Sequence, residues 1–409
     1  MRHELSYHKV VNWMISAIRW LSLTLPKKII KDGTITKARQ YLGIPVFRLI
    51  FDKFNQQHNV LIPDFYGRNS VIFDGVTATL PDTQSNQKRF GKPSSVQGSA
   101  AFPQLRAVAL LSLQLRCLLD IAYGPFKGKG TGERALMAQI LEKFKEKNLL
   151  FLLDAGLHSF ELLEYFKNSH QEFLMKLDST VKVKSIKKLK DGSRIAIIQK
   201  KFKNPKSVSG RRLPQITKKI KVRIISYQLK GFRTAKLITN ILDETISASA
   251  LVIHYHKRWD IELAFGEIKT RQCATLKGQT PTVFRSKTAE LVEQELFAIL
   301  ITYNCIRQLM YQAGEVHLSE PRLLSFFDVL QLIIDAVPII SIVKQKQLPF
   351  TLNYLIDLIG QSNIDRPKRP RVNPRVIKIK SSKFNRKNAS HQGEYRNFEE
   401  ELNIVFQAT

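Results

Sequence analysis

Tyr255-His256-Lys257-Arg258-Trp259-Asp260-Ile261-Glu262-Leu263-Ala264-Phe265-Gly266-Glu267-Ile268-Lys269 is the stretch on which the reading of this chain turns. At about 100° per residue, Tyr255, Arg258, Glu262 and Lys269 fall at roughly 0°, 300°, 340° and 320° around a helix, a stripe about 60° wide. One acid, two cations and a phenol thus share a helix face. Val252, Trp259 and Phe265 fall away from that face and are expected to pack. Two arrangements fit: the polar side of an ion-paired surface helix, or a carboxylate looking into a cleft with cations beside it. Spacing alone leaves both open.

Outward from this segment, the chain has 409 residues, with 65 Lys plus Arg against 34 Asp plus Glu and a net charge of +31. Such a length exceeds the usual reach of one hydrophobic core, so two or three domains are expected. With 44% of residues apolar, the charge decorates folded domains rather than a disordered basic chain. Acidic and neutral housekeeping folds are excluded. Nucleic acid is the expected partner, and a ribosome-like structural role would carry the same charge.

Cys117, Cys273 and Cys305 have no paired spacing, which argues against a zinc cluster or a disulfide framework and points to a reducing, cytoplasmic compartment. The longest apolar run, Val329 to Val343, contains Asp335 and Pro338 and falls short of the ~20 residues a bilayer crossing needs, so no membrane partner is expected. The N-terminus reads as an amphipathic helix, because Asn12 and Arg19 interrupt its apolar positions and no small-residue cleavage site follows.

The charge is unevenly spread. Lys176 to Lys236 holds 20 Lys or Arg and two acids, Asp178 and Asp191. Its alternation at Val181 and Val183, Ile195 and Ile197, and Val222 and Ile224 predicts a basic β-rich module. Arg366 to Asn388 holds ten Lys or Arg, no acid and three prolines, so it reads as an extended arm rather than a helix. Solvated faces would be the plainer origin of both blocks. Up to about residue 57 the pattern is helical, with Thr34 or Thr36 as an N-cap, Gly43 as a stop and Pro45 in a first helical turn. That pair is either a packing unit or a helix-turn-helix.

Strands are then expected at Ser70 to Phe73 and Val76 to Leu80 around Asp74-Gly75, and along Leu105 to Leu115, as an antiparallel meander. A helix from about Glu133 to Phe144 leads into an apolar strand, Leu149 to Leu153, that ends at Asp154; another helix runs from about Ser159 to Phe166. Strands first, then strand and helix alternating, predict a mixed α/β sheet covered by helices. Asp74 and Asp154 both stand at strand edges, where a carboxylate can face a cleft. Each also has an innocent explanation, since Asp-Gly is a common hairpin pair and Asp154-Ala155-Gly156 reads as a strand-to-helix turn.

Tyr, two residues, Arg, three residues, Glu, six residues, Lys resembles the signature of the insertion sequence 4 family of DDE transposases. Further blocks along most of the chain are similar to that family: Gly33-Thr34-Ile35-Thr36-Lys37-Ala38-Arg39-Gln40, Asp74-Gly75 with Pro81-Asp82-Thr83, Ala101-Phe102-Pro103-Gln104-Leu105-Arg106, Gly132-Glu133-Arg134-Ala135 and Leu153-Asp154-Ala155-Gly156. Arg285-Ser286-Lys287-Thr288, with Val292, Gln294 and Glu295, looks like the segment after the family's catalytic helix. Two departures accompany the match: Leu157 and His158 stand where members often carry aromatics, and the chain is expected to begin inside the family's N-terminal region.

The resemblance implies an α/β fold, an RNase H-like mixed sheet flanked by helices, with a β-rich insertion domain and a helical N-terminal region. Its implied domains are 1–60, a helical DNA-binding region; 61–172 and 239–315, the catalytic core; 173–238, the basic insertion; and 316–409, a helical region with a basic tail. It implies a transposase that cuts and joins phosphodiesters at insertion-sequence ends, with Asp74, Asp154 and Glu262 as catalytic metal ligands and Tyr255, Arg258 and Lys269 holding DNA. The cofactor would be Mg²⁺, two ions, with Mn²⁺ able to substitute. The partners would be double-stranded DNA, as terminal inverted repeats and target, and a second copy of the chain in a homodimer.

Carboxylate chemistry agrees with this independently. Three acids drawn together repel unless a cation compensates them, and oxygen ligands suit hard divalent ions. A transposase-derived DNA-binding protein whose catalysis has decayed, and a basic RNA-binding structural protein, are the alternatives from other classes.

Overall fold

The computed structural model describes residues 32–58, 61–95, 98–99, 101–144, 146, 148–178, 181, 183–202, 216–229, 232–272, 284–362, 371–372, 376–377, 386–387 and 396–405. The expected N-terminal amphipathic helix, Cys273, most of the basic arm and the centre of the basic module lie outside these residues. In chain order the elements begin with α1 (Asp32–His58), β1 (Asn69–Thr79), α2 (Gln84–Phe90), β2 (Gln104–Ser112), β3 (Leu118–Pro125), α3 (Glu133–Lys143), β4 (Leu149–Leu153), α4 (Phe160–Ser169) and β5 (Glu172–Lys176). They continue with β6 (Lys184–Lys188), β7 (Arg194–Phe202), β8 (Ile216–Gln228), β9 (Ala235–Thr239), α5 (Ala248–His256), α6 (Asp260–Gly266), α7 (Ala289–Val316), α8 (Phe326–Ile342), α9 (Leu348–Gly360) and the short β10 (Asn403–Ile404).

The chain divides into two units. The first draws on residues up to Ile62, Ile72–Lys145 and Trp259–Asp365; the second on Pro63–Val71, Glu146–Arg258 and the residues from Arg366 onward.

In the first unit the strand order is β3-β2-β1. β2 and β3 pair antiparallel, with Leu105 opposite Pro125 and Leu111 opposite Leu118; β2 ends at Ser112 rather than at the expected Leu115, and its partner β3 is a strand outside the expected meander. β1 corrects one expectation: it is a single strand running through Asp74-Gly75, which therefore form no hairpin turn. Two departures from regular geometry follow the sequence. Gly43, at φ 67° and ψ 178°, breaks α1 into two helical pieces, and Pro45 opens the second, as expected. Pro338 lies inside α8.

The 28-residue helix α7 organises this unit. Its buried side is apolar along Leu291, Val292, Phe297, Leu300, Tyr303 and Met310. Between these sit buried polar groups that bind other elements. Gln294 donates to the Arg39 carbonyl of α1 (2.8 Å), and Glu293 accepts from Arg89 (3.1 Å) and Tyr123 (2.8 Å). Fully buried Asn304 accepts from Leu118 N (2.9 Å) and donates to Leu118 O and to Asn55 Oδ1 (2.8 Å each). Buried amides and acids stay only when their hydrogen-bonding capacity is met.

In the second unit β4 and β5 run parallel, Leu150 opposite Glu172 through Leu153 opposite Met175. All five residues of β4 are buried. α4 joins the two strands, started by Ser159, whose hydroxyl accepts from Leu162 N. The sheet then continues β5-β9-β8-β7-β6 through antiparallel pairs, with β10 added against β8. The basic module is thus β-rich, as its alternation implied, although Val181 and Val183 precede the strand and β6 starts only at Lys184.

Among the described residues, its core holds one buried charge. Arg223 is fully buried and pairs with Asp191, donating also to Ser193 Oγ (2.9 Å) and to the Asp243 carbonyl (2.7 Å). Asp191 in turn accepts from Ala248 N at the start of α5 (2.7 Å). One of the only two acids in a lysine-rich stretch is therefore structural. The first unit thus holds an antiparallel strand pair and the second a parallel pair joined by a helix, so the chain is mixed α/β with helices flanking its strands.

Candidate functional site

Asp74 lies mid-strand on β1, directly after the buried run Val71-Ile72-Phe73. Its side chain is partly exposed, and Oδ1 accepts from the Gly75 N–H at 2.8 Å. Gly75 leaves room for the Glu133 side chain: a Cβ built there would stand 2.4 Å from Glu133 Oε1. A second carboxylate therefore lies against the strand next to Asp74. It belongs to Gly132-Glu133-Arg134-Ala135, a block visible in the sequence with no role assigned.

Asp154 follows the last residue of β4 in extended conformation (φ −82°, ψ 160°) and caps the 3₁₀ turn Ala155–Leu157. A buried strand that ends where its next residue turns outward delivers that carboxylate to an edge without any polar burial along the strand.

Glu262 lies on α6, and the helix that carries it is irregular. The path from Ala248 to Gln272 is α-helical to His256, tightens to a 3₁₀ turn at Lys257–Trp259, is α-helical again over Asp260–Gly266 and widens to a π turn over Glu267–Gln272. A uniform 100° step therefore does not hold, because a 3₁₀ turn advances about 120° per residue and a π turn less than 100°. Tyr255 and Arg258 belong to the second unit, Glu262 and Lys269 to the first.

Tyr255 is buried, and its hydroxyl donates to the Leu153 carbonyl at 3.0 Å, beside Asp154. Burial first, and then the charge of Asp154 against that of Arg258, hold its pKa above the ordinary tyrosine range, so it stays a phenol. Lys269 is half-buried, its Nζ 3.4 Å from the Thr77 carbonyl of β1, and desolvation lowers its pKa from the usual lysine value. Of the residues expected to pack, Val252 does so at full burial, but Trp259 is 57% exposed and is corrected to a surface residue. The 3₁₀ turn it occupies rotates it out of the packing face.

Sequence spacing missed the charges that hold α6. Asp260, at its first position, is buried and pairs with Arg116 Nε at 3.1 Å, with Arg322 3.5 Å away. Glu267, just past its end, accepts from Tyr303 Oη at 3.0 Å and pairs with Arg307 and with Arg116 Nη1 at 3.5 Å. Burial opposes the Arg307 charge, yet Tyr303 and Glu267 hold its pKa above even the usual arginine value.

Two blocks of the sequence also meet in the first unit. Thr83 Oγ1 donates to the Lys287 carbonyl (2.7 Å), Asn86 Nδ2 to the Ser286 carbonyl (3.2 Å), and Ala289 N to Ser85 Oγ (3.0 Å). Glu295 accepts from Ser286 N at 3.0 Å. Pro81-Asp82-Thr83 and Arg285-Ser286-Lys287-Thr288 are thus parts of one junction.

Oxygen donors from Asp and Glu fit a hard divalent ion in kind. Among the described residues, however, no group of three or more His, Cys, Asp or Glu side chains is gathered to hold one. Asp74 and Glu262 lie in the first unit and Asp154 in the second. No described helix is long and apolar enough to cross a membrane.

Residues 66–305 match the family described as "Transposase DDE domain". Transposase InsG for insertion sequence element IS4, from Escherichia coli (strain K12), is 28% identical over 387 residues, which is 92% of this chain and 82% of that protein. Among solved structures, the cryo-EM structure of the piggyBac transposase synaptic complex with hairpin DNA aligns over 83% of this chain and 66% of its own, just under two thirds, at 10% identity and a TM-score of 0.42. Endonuclease V from Bacillus subtilis aligns over 56% of this chain and 85% of its own, at 8% identity and a TM-score of 0.22.

Proposed function

The chain belongs to the transposase DDE domain family, in its insertion sequence 4 branch, and is a DNA-cleaving, strand-transferring transposase; from that premise we propose that Asp74, Asp154 and Glu262 are its catalytic carboxylates. Domains of this family depend in general on divalent metal. In this reading the three carboxylates hold two Mg²⁺ ions, replaceable by Mn²⁺. Bound there, such ions activate an attacking oxygen and stabilise a departing one at a phosphodiester.

The remaining roles belong to the protein's own groups. Arg258 presents a planar fork to a backbone phosphate and Lys269 a point charge. Tyr255, with its proton committed to Leu153, shapes the end of β4 and hence the place of Asp154. Trp259 offers an exposed indole next to Arg258, a surface on which an unpaired base can stack. Water is the first nucleophile, and the freed 3′-hydroxyl then attacks a second phosphodiester.

The DNA partner is the duplex carrying the terminal inverted repeats, followed by target DNA. Residues 1–60 contribute to end binding, 61–172 and 239–315 form the core, 173–238 are the basic insertion and 316–409 close the chain. A homodimer brings two ends together, and the enzyme works in the cytoplasm at the nucleoid.

The observation that carries this reading is the unbroken strand through Asp74. A hairpin turn would have explained Asp74-Gly75 without chemistry, and β1 removes that explanation. All six proposed residues also fall within 66–305. No observation favours the decayed alternative.

The test is nicking of a DNA fragment bearing the repeats that flank the reading frame, in Mg²⁺, by wild type and Glu262→Gln. A loss of at least 100-fold with DNA binding retained is expected. Equal nicking removes Glu262 from the site.

A further inference from the structure

Asp260 and Glu267 are seven residues apart, about two helical turns, so they fall within roughly 20° of each other around α6. Glu262 is about 200° from Asp260 and about 140° from Glu267 on the same wheel, which puts it on the opposite side. A single guanidinium, Arg116, reaches both acids: Nε to Asp260 at 3.1 Å and Nη1 to Glu267 at 3.5 Å. The planar fork of arginine suits such a bridge, and a lysine could engage only one acid at a time.

Arg116 itself is held firmly. It is 6% exposed and sits in the turn between β2 and β3 in a left-handed conformation (φ 51°), which residues other than glycine seldom adopt. Ser112 N donates to the Cys117 carbonyl across that turn (2.9 Å), and Asn304 of α7 accepts from Leu118 N next to it. From α7, Arg307 and Tyr303 take the other oxygen of Glu267. The turn, the short helix and α7 thus meet at two carboxylates that bracket Glu262.

We infer that Arg116, backed by Arg307, is a positioning residue that fixes the rotation of α6 about its axis and thereby the direction in which Glu262 points. This rests on the reading of Glu262 as a metal ligand. Neither arginine touches DNA or the reacting atoms in this role. A seven-residue helix between a 3₁₀ turn and a π turn has little of its own to resist twisting, and the two acid anchors supply that resistance.

The experiment uses the full-length protein and Mn²⁺ as probe. Mn²⁺ affinity is read from the free-ion EPR signal without DNA, and backbone mobility from hydrogen–deuterium exchange over 260–266. Arg116→Lys keeps the charge and loses the bridge; Glu267→Gln keeps the shape and loses one anchor. In both, Mn²⁺ affinity should fall at least tenfold and exchange over 260–266 should rise about tenfold. Exchange in β4 and duplex binding should stay within twofold of wild type.

Folded variants with unchanged Mn²⁺ affinity and unchanged exchange overturn the inference. Unfolding of both variants also overturns it, making Arg116 a stability residue only. Glu262→Gln separates the two readings. If its Mn²⁺ affinity equals that of wild type, the metal-ligand reading fails and this inference with it; if affinity depends on Glu262 but not on Arg116 or Glu267, only the positioning role fails.

Discussion

The pairing of β7 with β8 sorts the lysines of the basic module onto two faces, and only one face should meet DNA. Residues directly opposite in an antiparallel pair share a face. Lys218 stands opposite Lys200, and both pair with acids of α4, Lys218 with Glu164 and Lys200 with Glu161. Lys219 opposite Gln199, Lys221 opposite Ile197 and Lys201 opposite Thr217 point to the other side, where Lys184 of β6 joins them opposite Ile197. Those four lysines are exposed and have no carboxylate partner among the described residues. If each neutralises one duplex phosphate, together they contribute about 3.6 to the slope of log affinity against log salt, so a fivefold rise in salt costs about 300-fold through this face.

Changing Lys184, Lys201, Lys219 and Lys221 to Gln should flatten the slope by about 3.6, and Lys219→Gln with Lys221→Gln by about half of that. The control is Lys200→Gln with Lys218→Gln, which removes the same two charges as the second variant from the neutralised face and should leave the slope nearly unchanged. Fluorescence anisotropy of a labelled duplex over a salt series reads all of these. Equal slopes for the two double variants would mean that net charge matters and face does not, and the assignment would fall.

Two further outcomes concern the fold. Asp191→Asn leaves buried Arg223 without its counter-charge and should destabilise the protein by about 3 kcal/mol in urea titration, the low end for a broken buried pair because Asp191 is partly exposed. Burial raises the Asp191 pKa, but Ser193, Arg223 and the Ala248 N–H outweigh it and leave it below the usual carboxylate value, so its contribution is present above about pH 4 and is lost as pH falls through the native value; the variant should show a shallower acid limb. Gly43→Ala places a side chain at φ 67°, ψ 178°, a region close to glycine-only, and should cost about 1–3 kcal/mol, read as a lowered urea midpoint; an unchanged midpoint would mean that α1 re-forms as one helix.

Much of this was visible in the residues themselves, and the failures share a cause. Gly43 and Pro45 marked the break in α1 because their backbone restrictions are local. The buried run before Asp154 marked β4 for the same reason. Asp74-Gly75 reads as a turn from the preference of that pair alone, and that preference is weaker than the pull of buried Ser70, Val71, Ile72 and Phe73, which carry the chain on in one strand. A constant helical step places Trp259 among the packing residues, and the 3₁₀ turn spoils that arithmetic. Arg116 could not be found from the signature segment at all. Its partners lie 144 and 151 positions further along the chain, and nothing in its own surroundings distinguishes it from the many other basic residues.

The polar groups buried along α7 carry a consequence for how this helix can change. An all-aliphatic helix tolerates sliding or rolling, since one methyl group replaces another. Gln294, Glu293, Asn304 and Arg307 each meet a partner on a different element. A one-residue insertion near the middle would roll everything beyond it by about 100°, orphaning Asn304 and Arg307 together while the first two stayed engaged. Length polymorphism should therefore be absent inside this helix and confined to the segments on either side of it.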